Sequence, residues 1–148
     1  MPPLDPSLLG DRTVACAESC TAGRIATALA AVGEASSWFR GGLVAYGEPV
    51  KRDLLRVRAR TVYGEDAAVE MCQAAARLLG ASAVVATTGV AGPDPVGDVP
   101  AGTVFIATLV DGVADAATHR FGGGPEEVID AASRAALAAL GERLRRLP

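Results

Sequence analysis

Four polar or reactive side chains, Glu18, Ser19, Cys20 and Thr21, follow directly on an apolar run in VACAESCTAG, residues 14–23. The run reads as a strand and the residues after it as the start of a helix. Ser19, Cys20 and Thr21 therefore stand at a strand-to-helix junction, where backbone N–H groups are free to meet an anion or an oxyanion. Capping of the helix by Ser19 or Thr21 uses the same residue types, and the spacing leaves both readings open.

Other stretches carry candidate groups. Thr87, Thr88 and Gly89 close a second apolar strand, and in open α/β sheets ligands gather beyond the carboxyl ends of strands. The two threonines also suit a strand for their β-propensity and for one turn hydrogen bond. VAYGEPVK brings Tyr46, Glu48 and Lys51. A lysine near a serine acts as a base if burial or a neighbouring cation keeps it neutral; beside Arg52 and Arg56 it also fits a solvated helix face. AGPDPVGDVPAG is rich in glycine but lacks the GK[ST] ending of a phosphate loop. Asp94 and Asp98 in it fit either turns or a magnesium ion. HRFGGGPEE places His119 and Arg120 before a helix, where Arg120 can pair with a phosphate or end a strand in solvent.

The elements that must position these groups follow from periodicity. RTVACA is a short buried strand, and TAGRIATALAAVG a helix with Ile25, Leu29 and Val32 on one face. GGLVAYG is a second strand, followed by a short helix over PVKRDLL with Pro49 in its first turn. EDAAVEMCQAAARLLG is a helix ended by Gly80, and ASAVVATTG a third strand. The run from Val90 to Gly102 is a loop. TVFIATLVDGVADAATHRF is a hairpin turning at Asp111–Gly112. The chain closes with a long helix that starts at Pro125, has acids in its first turn and arginines in its last. Residues 1–10 form a flexible lead-in whose three prolines oppose regular structure, and residues 11–148 form one domain. Alternating strands and helices with a late hairpin give an α/β fold: a single three-layer-like domain with a mixed β-sheet and flanking helices.

Composition excludes several classes. The 148 residues are 50% hydrophobic, which opposes disorder, and carry a net charge of −3, which opposes non-specific nucleic-acid binding. The three cysteines are an odd, sparse set and not a disulfide scaffold. Cys16 and Cys20 are four apart while His119, the one histidine, is far along the chain. They read as small buried thiols, and no metal is expected. No GxGxxG follows the first strand, so a dinucleotide redox site is not indicated. The N-terminus has prolines and acids where a signal peptide has a basic and then an apolar run, and no segment suits a membrane span. The expected location is the cytoplasm.

AESCTAG, FRGGLVAYGEPVKRDLL, TTGVAGPD, PAGTVFIATL and HRFGG stand in the order and spacing of a known family. From Asp11 to Leu147 the chain resembles the C-terminal domain of the competence/damage-inducible CinA proteins, which also occurs alone as nicotinamide-nucleotide amidase. The resemblance implies hydrolysis of the carboxamide of nicotinamide mononucleotide to nicotinate mononucleotide and ammonia, by an α/β domain that forms a homodimer and needs no cofactor. It implies Ser19 as nucleophile and Lys51 as base, with Thr88 and Tyr46 orienting them or the amide. Cys20, Thr21, Ala22, Gly23, Gly89, Gly92 and Arg120 are the expected substrate contacts, the N–H groups of residues 20–23 facing the oxyanion. Several positions depart from the family pattern. Ala22 replaces a glycine. Glu48 replaces an asparagine and adds negative charge near Lys51. RTVYG, with Tyr63, replaces a segment containing a serine. GGGP, with Pro125, removes an arginine, and Ile129 stands where a basic residue is common. Two other readings are therefore carried alongside: an amidase-like enzyme with another small amide substrate, and a non-catalytic binding or dimer-forming module.

Overall fold

The computed structural model describes residues 4–147. Its five strands are β1 (Val14–Glu18), β2 (Phe39–Val44), β3 (Ala83–Gly89), β4 (Thr103–Val110) and β5 (Val113–Arg120). They form one sheet in the order β2-β1-β3-β4-β5. β1 runs parallel to both β2 and β3, while β4 and β5 add an antiparallel hairpin to β3. The helices are α1 (Arg24–Ala30), α2 (Ala35–Trp38), α3 (Glu48–Asp53), α4 (Glu65–Leu79) and α5 (Pro125–Arg145). The fold is the α/β arrangement with a mixed sheet expected from the sequence.

Strand alternation splits the core into two layers. Val14 and Cys16 of β1, with Ala83 and Val85 of β3, face α1 and α5. Ala15 and Ala17, with Val84 and Ala86, face α4. β1 is buried along its whole length, as a central parallel strand covered on both faces must be. The alanine content has a direct use here. Ala67, Ala68, Ala74 and Ala75 of α4 are buried against Ala15, Ala17, Ala86 and Ala107 of the sheet, and small side chains let helix and sheet approach closely. Gly42 of β2 is held to the same standard, since a Cβ there would lie 2.6 Å from the Cys16 sulfur.

The hairpin turns at Asp111 (φ 50°) and Gly112 (φ 83°), the double positive φ of a primed turn. Arg12 clamps that turn, its Nη2 lying 2.7 Å from the Asp111 carboxylate.

Three expectations change. α1 begins at Arg24 rather than Thr21, because Ala22 (φ 49°) and Gly23 (φ 99°) are left-handed and cannot belong to it. The single turn α2 was not foreseen; it follows Glu34, which is left-handed at φ 59°. The lead-in is not loose from Leu4 onward. Asp5 caps a short 3-10 turn at Pro6–Leu8, and Leu4 and Leu9 are buried in the α1/α5 layer. Apolar side chains spaced around that turn outweigh the prolines. The part of the lead-in at residues 1–3 lies outside the described residues.

Candidate active site

β1, β3 and β5 all end at the same edge of the sheet, and α1, α4 and α5 all start there. That edge collects the positive ends of three helices, although Glu65, Asp66, Glu126 and Glu127 in the first turns of α4 and α5 offset part of the field.

Ser19 is the first residue past β1 and is 3% exposed. Its N–H donates to the Thr87 carbonyl at 3.1 Å, which extends the β1–β3 ladder by one step. Its Oγ donates to the Tyr46 carbonyl at 3.4 Å. Lys51, on α3, is 1% exposed, and its Nζ donates to the same carbonyl at 2.8 Å. The nucleophile and base expected from the sequence thus share one acceptor oxygen and do not hydrogen-bond each other. Burial holds the Lys51 amine below the usual lysine range, against the opposing pull of Cys20 and Glu48. An ammonium has three donors, and among the described residues only Tyr46 takes one.

Arg52, the next residue, fastens the chain over this lysine. Its guanidinium donates to the carbonyls of Val57 (3.1 Å), Ala59 (2.5 Å) and Arg60 (3.3 Å). It also pairs with Glu48 at 3.3 Å. Glu48 is therefore turned along the helix surface and does not fill the pocket of Lys51.

The remaining expected residues divide. Tyr46 takes part through its backbone carbonyl; its side chain is 66% exposed and orients nothing. Thr88 is fully buried and lies on the Ser19 face of the sheet, but its hydroxyl donates to the Val62 carbonyl at 2.7 Å. It anchors the segment between α3 and α4 rather than Ser19. Thr21 is fully buried, and its hydroxyl bonds Glu18 (2.5 Å) and Thr87 (2.9 Å), so it is not free for substrate. Cys20 is buried near Lys51. Burial pushes its thiol up to about 11, against the pull of its own N–H, of Lys51 and of the Thr21 N–H.

In the turn, the N–H of Ala22 is used by the Ser19 carbonyl at 3.0 Å. Those of Cys20, Thr21 and Gly23 donate to no backbone carbonyl among the described residues, and the first two face the Cys20 sulfur. Gly89 serves packing, since a Cβ there would sit 2.4 Å from the Thr103 carbonyl. Gly92 has φ 99° and opens the loop that follows. Arg120 ends β5, exposed and opposite Thr103, three strands from β1. The sheet places it at the correct edge but not beside Ser19. Asp94 and Asp98 are exposed, and His119 stacks on Phe121 with ring centroids 5.6 Å apart.

One participant and one role escaped sequence reasoning. The participant is the Tyr46 carbonyl, a backbone group with no sequence signature. The role is that of Glu18, which the sequence places at the junction without marking it as the cap. Neither Ser19 nor Thr21 caps α1; the Glu18 carboxylate does, accepting from Ile25 N at 3.0 Å and Ala26 N at 2.9 Å. An acid closing an otherwise apolar strand was the available signal. Thr103 also went unremarked. It is 4% exposed, and its hydroxyl has no partner among the described residues.

The sequence pattern of the CinA C-terminal domain matches residues 8–144. A CinA-like protein of Mycolicibacterium gilvum is 37% identical over 140 residues, covering 88% of this chain and 33% of that protein. The nicotinamide-nucleotide amidohydrolase PncC of Enterobacter agglomerans is 38% identical over 122 residues, covering 78% of this chain and 74% of that one. The chain thus spans a quarter to a third of the CinA-like relatives it matches and most of the amidohydrolase. Among solved structures, the competence damage-inducible protein A of Klebsiella pneumoniae superposes with a TM-score of 0.90 at 35% identity, covering 95% of this chain and 91% of its own. A competence/damage-inducible protein of Agrobacterium tumefaciens superposes at 0.84 and 30% identity, covering 99% of this chain and 100% of its own.

Proposed function

The chain belongs to the CinA C-terminal domain family, and on that premise we propose that it hydrolyses the carboxamide of nicotinamide mononucleotide to nicotinate mononucleotide and ammonia. The observation that carries this reading is the pairing of Ser19 Oγ and a buried Lys51 Nζ on one carbonyl oxygen. The similarity to an amidohydrolase of nicotinamide nucleotides supports the substrate class.

A serine hydroxyl attacks an amide only when a base takes its proton. Lys51 is suited to this because burial favours its neutral form. Neutral Lys51 accepts the Ser19 proton as Oγ bonds to the carboxamide carbon. The oxyanion that forms meets the N–H groups of Cys20, Thr21 and Gly23, donors already in place before the charge develops. The lysine returns its proton to the leaving nitrogen, the C–N bond breaks, and ammonia departs from an acyl-Ser19 ester. Water, deprotonated by Lys51, attacks the ester, and the lysine gives that proton to Ser19 Oγ as the acyl C–O bond breaks, releasing the acid and restoring neutral Lys51 and free serine. No cofactor enters these steps. The Tyr46 carbonyl is shared by serine and lysine in the resting state and keeps both at one place. Catalytic hydrogen bonds are commonly long before substrate arrives, and the Ser19–Lys51 bond forms when Ser19 turns away from Tyr46. The reading also places the protein in the cytoplasm as a homodimer.

A second reading, an amidase for another small amide, is favoured by the missing cations. Glu48, Pro125 and Ile129 occupy family positions that are polar or basic elsewhere, and Arg120 lies three strands from β1. The test compares nicotinamide mononucleotide, nicotinamide riboside and nicotinamide at equal concentration, with ammonia and the matching acid measured together. The nucleotide is expected to turn over fastest with stoichiometric products. Equal or faster turnover of the riboside transfers the assignment to an amide without phosphate.

A further inference from the structure

Glu18 has no role in the chemistry above, yet it is fully buried beside the nucleophile. Burying a carboxylate costs several kcal/mol unless its oxygens are fully bonded, and here they are. Oε1 accepts from Thr21 Oγ1 at 2.5 Å and from Ile25 N at 3.0 Å. Oε2 accepts from Ala26 N at 2.9 Å and faces the Cys16 thiol at 3.8 Å. Strand alternation turns this side chain toward the α1/α5 layer, while Ser19 faces the α4 layer. Glu18 therefore does not reach the reacting atoms.

Its bonds enclose the turn that carries them. A carboxylate only accepts, so the Thr21 hydroxyl gives its one proton to Glu18. The Thr87 hydroxyl, 2.9 Å away, must then donate to Thr21. Thr87 also holds the other side of the turn, because its carbonyl takes the Ser19 N–H at 3.1 Å. β1, β3 and the first turn of α1 are thus tied together around residues 19–23. A serine or threonine N-cap would satisfy one helix N–H and leave the turn otherwise unconstrained. The carboxylate holds residues 21, 25 and 26 at once. Ala22 and Gly23, both left-handed, are spanned by this clamp. The N–H groups of Cys20, Thr21 and Gly23, which no backbone carbonyl takes, are within it or beside it.

We infer that Glu18, acting through Thr21, is a positioning residue that sets the turn of N–H groups against Ser19 and so fixes the oxyanion site. This rests on Ser19 being the nucleophile, but not on which amide it attacks.

The test uses the full chain and a probe independent of the natural substrate. In a fluorophosphonate, Ser19 Oγ bonds to phosphorus, the P–F bond breaks, fluoride leaves and Lys51 takes the serine proton. The phosphoryl oxygen carries negative charge where the amide oxyanion would. The second-order labelling rate is measured by intact mass, with peptide mapping to Ser19, for wild type, Thr21→Val, Thr21→Ser and Glu18→Gln. Thr21→Val keeps the shape and removes the hydroxyl; Thr21→Ser keeps the hydroxyl. Labelling is expected to fall tenfold or more in Thr21→Val and Glu18→Gln, and to return to within about threefold of wild type in Thr21→Ser. On whichever amide is turned over, kcat should fall with labelling while KM holds. Wild-type labelling by folded Thr21→Val overturns the inference, as does a Thr21→Ser protein as slow as Thr21→Val. Labelled Ser19 with nicotinamide mononucleotide left intact refutes the substrate reading alone, and the labelling ratios still decide this one. A wild-type Ser19 that resists the probe overturns both.

Discussion

Lys51, the base of the proposed reaction, is a buried amine. Burial disfavours its protonated form in the folded state, so the unfolded chain binds more protons between the lowered native value and the ordinary 10.5. Stability attributable to Lys51 therefore rises with pH through that window. The buried thiols act oppositely: Cys16, Cys20 and Cys72 are all raised above 9.0, chiefly by burial, and lose stability as pH climbs past that value. The contribution of Lys51 is isolated by difference. Urea midpoints against pH for wild type and Lys51→Met should diverge as pH falls through the window and keep a constant offset below it, with the variant the more stable there. Its kcat/KM should drop about 10²- to 10⁴-fold, the range for loss of a general base. Equal pH dependence in the two proteins would contradict the buried-amine account. Ala22 makes a second residue-level case. A left-handed non-glycine residue costs roughly 1–2 kcal/mol, of which glycine's extra unfolded-state freedom returns about 0.5–1 kcal/mol. Ala22→Gly should raise the urea midpoint by the equivalent of about 0.5 kcal/mol at unchanged m-value; a decrease would show that the turn is not strained there.

At the scale of elements, the sequence was legible where periodicity and punctuation agree. β1, β3, α4, the Asp111–Gly112 hairpin and α5 stand where alternation, glycine stops and the Pro125 start place them. The early part of α1 was not legible, because TAGRIATALAAVG reads as continuous helix from Thr21 unless Ala22 and Gly23 are known to be left-handed. Nor was the burial of Leu4 and Leu9, since a proline-rich segment packs only once α5 offers a surface. Leu9→Ala should destabilise the fold by about 2–5 kcal/mol, the usual cost of a buried leucine, read from chemical denaturation; a loss under 1 kcal/mol would return the segment to the status of a loose lead-in. The site was legible as residue types and not as contacts. Ser19 and Lys51 meet at the Tyr46 carbonyl without bonding each other. Thr88, Thr21 and Gly89 do structural work instead, and that division depends on which face of a strand meets which neighbour.

Across the whole molecule, the exposed large apolar side chains gather in part on one edge. Val44 of edge strand β2, Tyr46, and Val50 and Leu54 at and beyond α3 all face outward. They flank the chain that carries the Tyr46 carbonyl and Lys51. An unpaired strand edge with such neighbours invites association, and it is the edge on which the proposed homodimer would form. Sedimentation should give twice the chain mass for wild type and a single chain mass for Val50→Glu with Leu54→Glu. A dimer that survives both changes would place the contact elsewhere.

The most direct measurement of the central claim is product formation by wild type, Ser19→Ala and Lys51→Ala at equal foldedness, with nicotinamide mononucleotide as substrate and ammonia and nicotinate mononucleotide counted together. The account predicts one ammonia per acid from wild type and loss of both products in each variant. Undiminished turnover by Ser19→Ala would contradict it outright, because no other group in the site has been given the attack.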